Sequence, residues 1–226
     1  MHTKLTFAAS VLSFVMIVGC QSSDPSGEGG TENPSSTPDS AQNVQPLGEG
    51  DKAPNATLRR PDGQEVNLAD LLAVKPTVLI FYRGGWCPYC NTHLGQIATV
   101  ETELLSMGYQ VLAVSPDRPE ELRKTLGKQH LTYQLMSDSD MVLSRAFGIA
   151  FRVDDPTLEK YSDFGIDLAK SSGRSHHLLP VPAVYIVDAR GVIRFAHWDP
   201  DYKKRLDPEA LLSASRKVHA SSSSTP

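Results

Sequence analysis

The stretch TVLIFYRGGWCPYC, residues 77–90, is the most informative segment for predicting the fold of this 226-residue chain. Its first six residues are β-branched, apolar or aromatic, which is typical of a central strand buried on both faces. Cys87 and Cys90 follow where apolar residues begin to recur at helical spacing, and Gly108 ends that pattern as a C-cap would. The two cysteines are therefore predicted at the carboxyl end of a strand and the N-terminus of a helix, where open α/β sheets place their sites.

Strands and helices alternate along the rest of the chain. Further strands or hairpins are predicted at 56–67, 109–115, 133–138 and 183–199, and further helices at 68–73, 117–130, 140–148 and 207–217. Asp117 is the expected N-cap of its helix, and no element is assigned to the polar residues 154–177. This order predicts an α/β fold, a three-layer sandwich with a central mixed sheet and helices on both faces.

The cysteine spacing predicts redox chemistry. A cysteine at a helix N-terminus has a lowered pKa, because the helix dipole and unpaired N–H groups favour the thiolate. Cys90 lies three residues after Cys87 and returns to the same helix face. The pair can then close a disulfide after one of them has attacked. A purely structural disulfide across so small a loop would stabilise the fold only weakly.

Residues 1–19, MHTKLTFAASVLSFVMIVG, are interpreted as an export signal, because Lys4 precedes an apolar run too short for a confident membrane span. The run ends in IVGC, which resembles the cleavage site of bacterial lipoprotein signals. That resemblance implies lipidation of Cys20 and an exported domain anchored to a bacterial membrane. Gln21 implies the periplasmic side of the outer membrane if the cell has two membranes. An ordinary secretory signal with an incidental cysteine is the alternative.

Composition divides the remainder of the chain. Residues 20–50 begin with the lipidated cysteine and continue as a tether, predicted to be disordered because it has little apolar surface to bury. Residues 51–217 are enough for one domain with a sizeable core, and 218–226 are predicted to form a flexible tail. The formal net charge is −4 and no basic block is present, so nucleic acid is not an expected partner.

Two short motifs resemble thioredoxins. WCPYC, residues 86–90, resembles the thioredoxin active site, in which a tryptophan precedes the dithiol. VPAVYIVD, residues 181–188, resembles the segment in which a cis-proline, here Pro182, faces the dithiol. The resemblance implies a thioredoxin-like fold, site roles for Trp86 and Pro182, and a thiol reductant or a disulfide-bearing protein as partner. Pro182 as an ordinary proline at the start of a strand is the alternative.

Longer segments resemble the alkyl hydroperoxide reductase and thiol-specific antioxidant family, the peroxiredoxins. They are APNATLRRPDGQEVNLADLL, VLAVSPDRPEELRKTLGKQH and YQLMSDSDMVLSRAFGI, at 53–72, 111–130 and 133–149. The likeness extends over about 53–212 and is weakest at 154–177. It implies a thiol-based antioxidant oxidoreductase with a hydroperoxide as a possible oxidant.

The site itself departs from the peroxiredoxin pattern Phe-Tyr-Pro-x3-Thr-x2-Cys. In that register Arg83 replaces the proline, Cys87 replaces the threonine, Cys90 is the peroxide-attacking cysteine, and Pro182 replaces a distant arginine. The thioredoxin register instead makes Cys87 the attacker. Burial of the second cysteine of such a pair favours Cys87. Arg83 is either a substitute cation at the site or a solvated loop arginine.

The chemistry expected from the sequence alone is thiol–disulfide exchange at Cys87 and Cys90, on exported proteins or small disulfides. The alternative is thioredoxin-dependent reduction of hydroperoxides, and a third possibility is a metal-binding or interaction module. No cofactor is expected. No metal is expected either: His93 shares a helical stripe with the cysteines but is predicted to face solvent or the site's rim, and a structural zinc needs four ligands.

Overall fold

One mixed sheet forms the centre of the computed structural model, which describes residues 37–129 and 131–223. In chain order the strands are β1 (Thr57–Arg59), β2 (Glu65–Asn67), β3 (Thr77–Phe81), β4 (Gln110–Ser115), β5 (Gln134–Ser137), β6 (Ala150–Arg152), β7 (Leu178–Pro180), β8 (Ala183–Val187) and β9 (Ile193–Trp198). The sheet has the order β2-β1-β5-β4-β3-β8-β9, and β6 pairs with β7 in a separate ribbon. The pairs β3–β4 and β4–β5 are parallel. All other strand pairs are antiparallel.

Helices cover both faces of this sheet. They are α1 (Leu68–Val74), α2 (Pro88–Ser106), α3 (Pro119–Gln129), α4 (Val142–Ala146), α5 (Asp155–Asp163), α6 (Leu168–Ser172) and α7 (Pro208–Ser223). Apolar residues of α2, α3 and α7 share one core with the sheet, and those of α1 and α4 share another. The predicted three-layer sandwich with a mixed central sheet is therefore confirmed.

Strand β3 shows why the quoted stretch determines the fold. All five of its residues are buried. Val78 and Ile80 point into the core beneath α2, whereas Leu79 and Phe81 point into the core beneath α1 and α4, as the two-residue repeat of a strand requires. Burying a side chain of this size contributes about 1.5–3 kcal/mol, so a strand apolar on both sides is stable only between two layers.

The predicted boundary between tether and domain is wrong. Residues 41–43 form a short 3-10 helix, and the Val44 side chain is buried in the core beneath α1 and α4. The backbone N–H groups of Gln45 and Leu47 donate over 3.1 Å to the carbonyls of Gly148 and Phe147, which directly follow α4. The Pro38 carbonyl accepts from the Arg152 N–H over 2.7 Å. The segment is therefore part of the domain, because Val44 packs into its core and the segment's backbone is bonded to it.

Two other expectations about the ends of elements are corrected. Helix α7 continues to Ser223, so the tail predicted at 218–226 is helical over most of its length, and 224–226 lie outside the described residues. The unassigned segment 154–177 contains α5 and α6, whose N-caps are Asp154 and Asp167. The export signal and Cys20 also lie outside the described residues. Within 37–129 and 131–223, no helix is both long and apolar enough to cross a bilayer.

Candidate active site

The dithiol lies where β3 passes into α2. Cys87 is the N-cap residue of α2 and has extended backbone angles, with Pro88 in the first helical position. Proline suits that position because the N–H it lacks would be unpaired there. Cys90 follows within the first turn. Both thiols are free, and their residues are only 2% and 0% exposed.

Two glycines shape the loop that carries the dithiol. Gly84 has a φ of +143°, and a Cβ there would run into the Trp86 ring and Asp117. A Cβ on Gly85 would overlap the Thr125 hydroxyl of α3. The Gly85 N–H donates to Asp117 Oδ2 over 2.7 Å, and its carbonyl accepts from Asn91 Nδ2 over 2.9 Å. The loop is thus held through both the N–H and the carbonyl of Gly85.

The surroundings of the two cysteines shift their pKa values in opposite directions. A hydrogen bond from the Cys90 thiol lowers the pKa of Cys87 to about 6, against the effect of burial, with further lowering from the Cys90 N–H and from Arg83 and Arg205. Burial raises the pKa of Cys90 well above its ordinary value, and its hydrogen bond to Cys87 raises it further. Cys87 therefore carries the thiolate at neutral pH, and Cys90 carries the proton.

Arg83 is caged by aromatic rings beside the cysteines. Its guanidinium lies over the Tyr202 ring at 4.2 Å, with Trp86 and Tyr161 at 5.3 and 5.5 Å, and it donates a hydrogen bond to the Tyr161 hydroxyl. The residue is 4% exposed, and desolvation lowers its pKa while the thiols act to raise it. The alternative of a solvated loop arginine is wrong, because this side chain is buried against the dithiol.

A second arginine approaches the dithiol from the loop between β9 and α7. Arg205 Nη2 donates to Cys90 Sγ over 3.4 Å, and its charge favours the thiolate of both cysteines. Sequence reasoning missed Arg205, as it missed the ring neighbours Tyr161 and Tyr202. All three lie more than seventy positions after the dithiol, in segments that carry no motif, so only the folded chain brings them to the site.

The sheet register places Pro182 at this same end of the molecule. Phe81, the last residue of β3, pairs with Ala183, the first residue of β8. Pro182 directly precedes β8 and therefore lies beside the C-terminal end of β3, from which the chain continues to the dithiol. Its side chain is buried. On the other side Ala183 pairs with Trp198, whose residue is 40% exposed. Trp86, predicted for the site, contacts Tyr161 with ring centroids 5.5 Å apart.

Two polar residues differ from their predicted roles. Asp117 does not cap α3, which begins at Pro119; it is buried and accepts the Gly85 N–H, and burial raises its pKa to about 7. His93 does not face solvent, because it is 3% exposed. Burial, together with the charge of Arg205, lowers the pKa of His93 to about 4. Its neutral ring is buried near Arg205 rather than at the rim.

The arrangement supplies a nucleophilic sulfur, a second sulfur and two cations. No group of three or more His, Cys, Asp or Glu side chains within the described ranges is placed to hold a metal ion. The chemistry available to these side chains is thus attack by the Cys87 thiolate on an electrophilic oxygen or sulfur, followed by disulfide closure with Cys90.

Comparison with known families matches residues 49–196 to the AhpC/TSA family. The peroxiredoxin Bcp of Escherichia coli K12 is 33% identical over 106 residues, which span 47% of this chain and 67% of that protein. The family match includes β3, the dithiol and α2 and ends before Tyr202 and Arg205.

Solved structures agree on the fold. Reduced Prx3 of Vibrio vulnificus in complex with H2O2 superposes with a TM-score of 0.62 at 20% identity, over 75% of this chain and 99% of the other. BcpB of Mycobacterium tuberculosis gives 0.59 at 17% identity, over 76% and 98%. Since the family match extends over more than half of the sequence, this chain belongs to the AhpC/TSA family and is a peroxiredoxin-type thiol oxidoreductase of the thioredoxin fold.

Proposed function

We propose that this protein is a dithiol peroxidase in which the Cys87 thiolate attacks a hydroperoxide and Cys90 resolves the product. The observation that carries the proposal is the opposed pair of pKa shifts, lowered to about 6 at Cys87 and raised at the buried Cys90. Family membership supports a hydroperoxide as oxidant, which favours the alternative drawn from the sequence over its leading expectation of disulfide exchange.

The reaction begins with Cys87 Sγ attacking the terminal oxygen of R–O–OH. The O–O bond breaks, Cys87 becomes a sulfenic acid, and the alkoxide RO⁻ takes up a proton to become an alcohol. The Cys90 thiol then loses its proton and attacks Cys87 Sγ, forming the S–S bond and expelling hydroxide, which is protonated to water. Two thiols and one hydroperoxide thus give one disulfide, one alcohol and one water.

The two arginines support successive steps. Arg83 and Arg205 both stabilise the Cys87 thiolate before attack, and fixed cations in a desolvated site also stabilise the negative charge that develops on the departing oxygen. Arg205 Nη2 then lies against Cys90 Sγ, where it favours the second thiolate. An external thiol reductant returns the disulfide to the dithiol by exchange.

The attacking cysteine is tested by trapping the sulfenic acid. Cys90→Ser protein, treated with one equivalent of H2O2 and then dimedone, should gain one dimedone adduct at position 87 by mass spectrometry. Cys87→Ser should gain none at Cys90 under the same conditions. An adduct on Cys90 in the Cys87→Ser protein would assign the attack to Cys90, as the peroxiredoxin register has it.

Thiol–disulfide exchange with protein substrates is the second candidate. It is favoured by the thioredoxin-like WCPYC dithiol. It is also favoured by Pro182, which lies at the same end of the sheet as the dithiol. In that case Cys90→Ser should accumulate mixed disulfides with exported proteins in cells grown without added peroxide. Wild-type peroxide turnover much faster than its reduction of a protein disulfide would instead favour the peroxidase.

We also propose that the protein is exported and anchored through a lipid on Cys20, on the strength of the signal-like residues 1–19. Metabolic labelling with an alkyne fatty acid should mark the wild-type protein and leave Cys20→Ser unmarked. A label retained by Cys20→Ser, or a mature N-terminus elsewhere than Cys20, would contradict the anchor.

A further inference from the structure

The dithiol end of the sheet contains more positive charge than its own groups neutralise. Arg83 and Arg205 bring two charges, and the Cys87 thiolate offsets one of them. His93 adds none because it is neutral above a pKa of about 4. Within the described part of the chain, neither arginine forms an ion pair with a carboxylate, in contrast to the pairs formed by arginines elsewhere. The reduced site is left with a net charge near +1, and the disulfide form with +2.

Hydrogen-bond donors are unmatched at the same place. Arg83 Nε and Arg205 Nε and Nη1 are buried and have no acceptor among the described residues. A buried donor without an acceptor costs about 1–3 kcal/mol, and more for a charged group, so native structures rarely leave three together. The rings around Arg83 contribute cation–π attraction, but they leave its Nε without an acceptor.

Asp117, the nearby buried acid, does not resolve this imbalance. Its carboxylate is engaged by the Gly85 N–H at 2.7 Å, and burial favours its protonated form. The missing partner must therefore bring both a negative charge and acceptor oxygens. Of the common small groups, a carboxylate supplies both, with two oxygens that match the planar donor edge of a guanidinium.

We infer that Arg83 and Arg205 form a subsite for one carboxylate group of a reactant that meets the dithiol. This inference rests on the proposed peroxidase only for the identity of that reactant, which is a carboxylate-bearing hydroperoxide or a carboxylate-bearing thiol reductant. The carboxylate binds more tightly to the disulfide form, because closing the disulfide removes the thiolate that competes for the same cations. It is therefore also retained on the oxidised protein until an incoming thiolate displaces it.

Binding is measured first on the oxidised protein, where no turnover takes place. Isothermal titration calorimetry with propionate should show binding at one site, and propionamide, its uncharged counterpart of similar shape, should not bind. Arg205→Gln should weaken propionate binding about tenfold or more, since it removes a charge-assisted hydrogen bond. Lys204→Gln is the matched control: it removes one positive charge from the adjacent, exposed position and should leave binding unchanged. Equal propionate and propionamide binding, or equal losses in both variants, would overturn the subsite.

Turnover then identifies the reactant. Monoperoxysuccinate should be reduced with a higher kcat/KM than its methyl ester if the oxidant supplies the carboxylate, and the ratio should collapse in Arg205→Gln. If the reductant supplies the carboxylate, mercaptopropionate should give a higher kcat/KM as reductant than mercaptoethanol. That preference should also be lost in Arg205→Gln. Peroxide reduction with no charge preference in either pair would overturn the inference while leaving the peroxidase intact. Propionate binding without any peroxide reduction would leave the subsite and refute the peroxidase.

Discussion

Arginines lie at both ends of the central sheet, and the two ends treat them differently. At the end where β8 ends, Asp188 accepts from Arg194 at 2.7 Å and from the N–H groups of Arg190 and Val192 at 2.9 Å. At the opposite end Arg83 and Arg205 meet two sulfurs and no carboxylate ion pair within the described residues. At the first end both arginines pair with the Asp188 carboxylate, which holds a turn together. The second keeps its charge, as a site that must stabilise a thiolate requires.

The largest expected effect is the loss of the thiolate itself. Cys87→Ser should reduce steady-state peroxide turnover by on the order of a thousandfold or more, because serine is not ionised near neutral pH. Cys90→Ser should retain one rapid turnover and then stop. Peroxide consumption measured under single- and multiple-turnover conditions separates the two. Continued steady-state turnover by Cys87→Ser would show that peroxide reduction does not need the thiolate that distinguishes the dithiol end of the sheet.

The acids at the two ends should give stability an opposite dependence on pH. Burial raises the pKa of Asp117 to about 7, so the folded protein holds a proton there that the unfolded chain has released. Wild type should therefore lose stability relative to Asp117→Asn as pH rises from about 4 to 7, by up to a few kcal/mol. For Asp188, burial is outweighed by hydrogen bonds from Val192, Arg194 and Arg190, and its pKa is lowered.

The stability contributed by Asp188 is accordingly present above its ordinary pKa and lost as pH falls through the lower folded value. Urea unfolding of wild type, Asp117→Asn and Asp188→Asn at several pH values measures both slopes. The comparison fails if the differences from wild type change in the same direction with pH.

Glycines at the two ends should also respond differently to an added methyl group. Gly85→Ala should destabilise the fold by about 1–3 kcal/mol, because its Cβ overlaps Thr125. Gly191→Ala should cost about 1 kcal/mol, because the φ of +74° there is left-handed while the space is open. Thermal unfolding measures both. Only Gly85→Ala should also alter the alkylation rate of Cys87, and an unchanged rate would show that the loop does not position the thiol.

The smallest expected effect comes from exchanging arginine for methionine at each end. Arg205→Met should raise the pKa of Cys87 and lower kcat/KM for peroxide about tenfold, since a cation beside the sulfurs is lost. Arg194→Met should leave that pKa unchanged and cost up to about 1 kcal/mol of stability. The pH dependence of iodoacetamide alkylation reports the thiol in both. A shifted pKa in Arg194→Met would mean that charge at the far end reaches the dithiol.

The sequence predicted the elements that local patterns specify. Strand β3, helix α2 and the dithiol between them are contiguous, so apolar periodicity and cysteine spacing were enough to place them. The registers of thioredoxins and peroxiredoxins disagreed about the attacker, and the expected burial of the second cysteine favoured Cys87. In the folded protein Cys90 is fully buried.

The remainder of the site could not be predicted because distant segments supply it. Tyr161 comes from α5, and Tyr202 and Arg205 come from the loop before α7. None of these segments has a pattern that marks a site, and a tyrosine or arginine in a polar stretch is ordinarily exposed. Buried Asp117 and His93 were misjudged for a related reason, since a polar residue is buried only when the tertiary fold supplies partners or covers it.

The ordered residues before β1, which begin to bond to the domain at Pro38, limit how far the domain can lie from an anchor at Cys20. If Cys20 is held in a bilayer as proposed, the first bond of the chain to the domain is made at Pro38, whose carbonyl accepts from the Arg152 N–H, rather than near residue 50. Eighteen residues span at most about 60 Å when fully extended, against about 100 Å for thirty. The dithiol would then work closer to the lipid than a connection ending at residue 50 would allow.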